Sequence, residues 1–133
     1  MQGTVRTFSI EVLDLIEQRM REVAQHTSAA FGATCEFKFK RNYPPTINHP
    51  AEADFARQVM EDLVGPEQVL AQEPTMGAED FAYMQELVPS CYFGIGNGSG
   101  PMLHDSSYNF NDDLLVMGPA FWARLVAKAL PES

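Results

Sequence analysis

The sequence predicts a mixed α/β chain in two parts. Three observations predict it: short runs in which apolar and polar residues alternate, longer runs with helical apolar spacing, and a proline-rich stretch that separates an early group of elements from a later one. Residues 3–8, GTVRTF, are rich in β-branched and aromatic types and read as a strand. Ser9 ends it and can cap a helix whose apolar positions Leu13, Ile16, Met20, Val23 and Phe31 follow helical spacing. Phe8 and Leu13 are spaced for a hydrophobic staple across that cap, and Gly32 stops the helix. Cys35, Phe37 and Phe39 alternate with Glu36, Lys38 and Lys40, the pattern of a strand with one buried and one wet face.

The stretch YPPTINHP, Tyr43 to Pro50, carries three prolines in eight residues and reads as a linker, because proline neither continues a helix nor donates to a sheet. Beyond it, Phe55, Ala56, Val59, Met60 and Leu63 predict an amphipathic helix closed by Gly65 and Pro66, and Val69 to Ala71 a short strand. Gly77 before Glu79 and Asp80 favours a helix start with acids in its first turn. Cys91 to Gly96 reads as a buried strand, and Asn97 to Pro101 as a loop. A last helix, capped by Asn111 or Asp112, presents Leu114, Leu115, Phe121, Trp122, Leu125 and Ala129, with a bend or break expected at Gly118-Pro119.

Composition excludes some functions. The chain has 133 residues, 45% of them hydrophobic, enough for one modest core. Eighteen acidic against nine basic side chains give a net charge of −9, which repels phosphate backbones, so nucleic acid is not an expected partner. No run reaches the roughly 18 apolar residues that span a bilayer, and the start MQGTVRTFSIEV lacks the pattern of a signal peptide. A cytoplasmic protein with no membrane partner is therefore expected. Cys35 and Cys91 are isolated and read as two free structural thiols.

Few residues suggest chemistry. His104 lies in LHDSSYNFND, after a glycine-rich loop and close to Asp105, Asp112 and Asp113; it is either a metal ligand on a loop or a solvated imidazole. Arg6, in the middle of GTVRTF, can grip a carboxylate through two parallel hydrogen bonds or simply face water. Glu79 and Asp80 fit either partners of a metal-bound imidazole or ordinary helix-start acids. GIGNGSG has the glycines of a phosphate loop without its lysine and reads as a flexible turn. His26 and His49 are read as structural bystanders. The common self-contained catalytic signatures, HExxH, GxSxG and the P-loop among them, do not occur.

Taken in order, GTVRTF, the helix after it, CEFKFK, YPPTIN, MGAEDFAYM, CYFGIGNG and LHDSSYNFNDDLLVMGPAFWARLV resemble the C-terminal part of the M20 family of metallo-amidohydrolases. The likeness is to the branch of hippurate hydrolases, N-acyl-amino-acid amidohydrolases and auxin-conjugate hydrolases, and it covers essentially the whole chain. It implies that residues 1–41 are the second half of a ferredoxin-like lid and dimerisation domain, 42–50 a linker, and 51–133 the last segment of an α/β zinc-peptidase-like catalytic domain. It also implies a homodimer and a divalent metal, zinc, manganese or cobalt, whose bound water attacks the amide bond of an N-acyl amino acid or short peptide. Carried onto this sequence, His104 matches a metal ligand and Arg6 the arginine that holds the substrate carboxylate. Gly77, Glu79 and Asp80 match a helix start beside the active site, with Ala78 in place of the usual serine. The family's other metal ligands, its glutamate base and its lid histidine have no counterpart here, so no catalytic residue is assigned. The expectation is a piece of a hydrolase that is inactive alone. A non-enzymatic module that self-associates through the half-lid is the expectation from a different class.

Overall fold

In a computed structural model, residues 1–131 are described, and they divide into two compact units, Met1–Ile47 with Glu73–Pro89, and Asn48–Gln72 with the chain from Ser90 onward. The regular structure is helical: α1 (Ile10–Ala30), α2 (Pro50–Val64), α3 (Phe81–Gln85) and α4 (Met117–Ala129), with 3₁₀ turns at Pro66–Gln68 and Asp112–Val116.

No strand occurs among the described residues, which overturns the α/β expectation. The alternation itself is real. Val5 and Thr7 are half-buried around an exposed Arg6, and Cys35, Phe37 and Phe39 are half-buried between exposed Glu36, Lys38 and Lys40. Period two tells which side chains share a face, whereas a strand also needs a second backbone about 4.8 Å away to take its N–H and C=O groups. Residues 35–40 rest on a helix instead: the Arg21 guanidinium lies 4.8 Å from the Phe37 ring centroid and donates to Phe37 O at 3.4 Å. Residues 91–96 likewise form no ladder, and 69–71 follow a 3₁₀ turn.

The first unit is built on α1. The Ser9 hydroxyl accepts from Val12 N at 3.2 Å, satisfying one of the N–H groups a helix start leaves free. At the other end Gly32, φ 68°, donates to Ala29 O and Ala33 N donates to Ser28 O, the paired bonds of a Schellman closure. Leu13 is buried, but Phe8 is exposed, as are Val12, Leu15, Val23 and Phe31. Arg41 pairs with Asp14 at 2.6 Å and Glu17 at 2.8 Å. In α3, Ala82 and Gln85 are buried, and Gln85 Oε1 accepts from Ile47 N at 3.0 Å, so its amide oxygen enters the interior with a partner. Glu79 and Asp80 precede the first turn of α3 rather than occupying it.

The core of the second unit is α2 against α4: Ala56, Val59 and Phe121 are buried, with Phe55, Met60, Leu63, Cys91, Phe93 and Leu125 packed around them. Phe93 and Phe121 meet with ring centroids 4.7 Å apart. Burying side chains such as Val59 and Phe121 stabilises by roughly 1.5–3 kcal/mol each. Pro119 does not break the last helix; it lies in the first turn of α4, where a missing N–H costs nothing, and the 3₁₀ turn capped by Asn111 leads into it. The apolar face expected of α4 is covered only in part, since Leu115, Trp122 and Ala129 are exposed.

Apolar cover is thin throughout. The chain exposes 10850 Å², whereas a compact monomer of this mass would expose about 7,000 Å², and two separate globules of half the mass about 8,400 Å². The excess therefore lies within the units themselves.

Candidate functional site

His104 sits at a turn within the second unit, in the loop between Ile95 and Asn111. Its backbone has φ 71°, the one positive value outside glycine among the described residues. Asp105 N donates to Met102 O at 3.1 Å, so His104 is the third residue of a tight turn, a position with positive φ that glycine ordinarily fills. A side chain there costs on the order of 1–2 kcal/mol, although histidine tolerates that region better than most residues. The next turn is held by Asp105, whose Oδ1 accepts from Ser107 Oγ at 2.6 Å and Ser107 N at 2.8 Å, while Tyr108 N donates to Asp105 O. The Ser107 hydroxyl, and then its backbone N–H, hold the Asp105 carboxyl below the usual carboxylate range. Asp105 is thus committed to shaping the loop. His104 itself is exposed.

The base of the loop is closed by Asn97. Its Nδ2 donates to Asn109 O at 2.9 Å and its Oδ1 accepts from Asn111 N at 2.8 Å. Sequence reading treated this stretch as a flexible turn and missed the clamp; the available signal was an asparagine ahead of the glycines with further asparagines downstream. A shallow groove of about 290 Å³, lined by Ile95, Tyr108, Phe110, Leu114 and Pro119 among others, lies beside this base, and His104 does not line it.

The other predicted residues belong to the first unit. Arg6 is exposed, Gly77 is exposed, Glu79 is half-buried, and Asp80 stands at the N-cap of α3 without a side-chain capping bond. A Cβ at Gly77 would meet only Thr75 Oγ1 at 3.6 Å, so space does not demand glycine there. His49 is more engaged than a bystander: its Nδ1 accepts from Ser90 N at 3.1 Å and its own N–H donates to Ser90 O at 3.1 Å, tying the proline-rich stretch to the chain before Cys91. Both cysteines are free, and burial, followed by the charge of Glu52, raises the Cys91 thiol above its ordinary range.

Among the described residues no three or more His, Cys, Asp or Glu side chains are grouped so as to hold a metal ion. A lone imidazole does not hold a catalytic metal, which takes about three protein ligands and an open position. The donors among the described residues therefore do not make up a metal centre by themselves. No helix among the described residues is long and apolar enough to cross a membrane.

His104 is thus an exposed imidazole carried on a left-handed backbone, on a loop of the second unit. The chain belongs to Peptidase family M20/M25/M40, which it matches over residues 3–128. It is 34% identical over 134 residues to thermostable carboxypeptidase 1 of Saccharolobus solfataricus, covering 96% of this chain and 33% of that protein. An uncharacterised hydrolase of Staphylococcus saprophyticus is 31% identical over 123 residues, covering 87% of this chain and 31% of its own length. YhaA of Bacillus subtilis, provisionally named an amidohydrolase, is 35% identical over 94 residues, 71% of this chain and 24% of that one. The chain spans about a third, or less, of the length of these curated relatives.

Proposed function

We propose that this chain supplies one part of a peptidase- or amidohydrolase-type site that cleaves the amide bond of N-acyl amino acids or short peptides, and that it does not turn over substrate alone. In this reading His104 is one ligand of a divalent metal, zinc, manganese or cobalt, whose remaining donors come from other protein of the same family. Arg6 holds the substrate's free carboxylate, where its planar guanidinium makes two parallel charge-assisted hydrogen bonds. The observation that carries the reading is the backbone of His104. A histidine kept where glycine would be cheaper is accounted for by use of its side chain.

The test replaces the matching third of thermostable carboxypeptidase 1 with this chain and compares the chimera with its His104→Ala form in metal content and in hydrolysis of peptides and of N-acetyl and N-benzoyl amino acids. The variant is expected to lose roughly a hundredfold or more in kcat/KM together with bound metal. Equal activity and metal content in the two forms would refute the assignment. The 133-residue chain with added zinc or manganese is expected to show no turnover.

A second reading, self-association into a homodimer through α1, is favoured by the exposed Val12, Leu15, Val23 and Phe31 in and after that helix.

A further inference from the structure

We propose that Asn97 is the positioning residue of His104, an inference that rests on the functional reading of His104 given above. A primary amide carries a donor and an acceptor side by side, as a peptide unit does, so one asparagine can take the place of a missing neighbouring strand. Asn97 does this at both ends of its amide, donating to Asn109 O at 2.9 Å and accepting from Asn111 N at 2.8 Å. Between those anchor points the loop is shaped by bonds among its own residues, Asp105 N to Met102 O, Tyr108 N to Asp105 O, and Ser107 to the Asp105 carboxylate. These local bonds fix the turn around His104 but tie it to nothing outside the loop. The Asn97 clamp joins the returning chain to the segment that leads out from Phe93, which packs in the core against Phe121. Without the clamp the turn moves as a unit, and the imidazole moves with it. The positive φ of His104 makes this sensitive, because a loosened loop can relax to the ordinary backbone region and swing the ring away.

The test uses the 133-residue chain and follows the His104 Cα and Cβ resonances, which report its backbone region, by NMR, with amide hydrogen exchange at Asn111 and Ser107. Asn97→Ala is expected to speed exchange at Asn111 by roughly fivefold to tenfold, the change that loss of one ordinary hydrogen bond gives, and to shift the His104 Cα and Cβ signals away from left-handed values toward those of the ordinary backbone regions. The Phe93 and Phe121 ring signals should stay in place and show that the core is intact. Asn97→Asp keeps the acceptor for Asn111 N and removes the donor to Asn109, so it should restore most of the Asn111 protection and only part of the His104 shift. Unchanged His104 signals in a folded Asn97→Ala overturn the proposal. If Asn97→Ala loses the core signals, Asn97→Asp decides: unchanged His104 signals in that folded variant overturn it equally. A chimera that stays active with His104→Ala would instead sink the hydrolase reading and leave the positioning result standing.

Discussion

Helix α1 runs 21 residues and buries one side chain, Leu13, whereas α2 runs 15 residues and buries Ala56 and Val59 against Phe121 of α4. Both helices carry apolar stripes, and α1 has the better-finished ends, with a serine cap and a glycine closure. The difference is a matching surface. A stripe stabilises only as far as something apolar covers it, and α2 has α4 while much of the stripe on α1 faces water. Ends determine where a helix starts and stops; partners determine how much it contributes to the fold.

Phe121→Ala should break the covered side of this comparison with the largest effect. Removing a buried ring from a small core costs about 3–5 kcal/mol, enough to unfold the second unit, and thermal unfolding followed through the Phe93 ring signals would show it. An unchanged midpoint would mean that α2 and α4 are not the core. On the other side, Ser9→Ala should cost α1 about 1 kcal/mol, read as faster amide exchange at Val12 with no change in α4. Val23→Lys sharpens the contrast further: at an exposed position monomer stability should change by no more than about 0.5 kcal/mol, while sedimentation at high concentration should show weaker self-association if α1 is the dimer face.

The smallest effect is electrostatic. Lys128 donates to Asp62 at 2.7 Å and, by that hydrogen bond first and its charge second, holds the Asp62 carboxyl below its ordinary range. A carboxyl depressed in the folded state stabilises above its unfolded pKa and loses that contribution as pH falls through the lower, folded value. The link between α2 and α4 should therefore weaken below about pH 4. Asp62→Asn should flatten that part of the stability-versus-pH curve, and a curve identical to that of the unmodified chain would show that the exposed pair contributes nothing.

Much of the helical architecture was legible before any coordinates. Ser9, Gly32 and Gly65 mark helix ends because capping is local chemistry, settled by residues within one turn. The strands failed for the opposite reason. Alternation in 35–40 is local and survives as alternating exposure, but a ladder needs a second backbone, and there the Arg21 side chain meets the segment instead. Asn48 makes the same point. Its amide donates to Tyr92 O and accepts from Tyr92 N, both at 2.7 Å, doing for one residue what a neighbouring strand would do for several.

The candidate site divides along the same line. His104 became a candidate mainly through the family resemblance, and membership of the M20 peptidases bears that resemblance out. The left-handed backbone of His104 and the Asn97 clamp were not legible, because both depend on where Met102, Asn109 and Asn111 come to lie once the loop closes. Sequence by itself was sufficient for helix ends, the two free thiols and the family, all of which rest on residue types and short spacings. Which stripe finds cover, which alternating run stays without a ladder, and which side chain holds the His104 loop emerged only from tertiary structure. Those outcomes depend on contacts between residues distant in the chain, which no local pattern encodes.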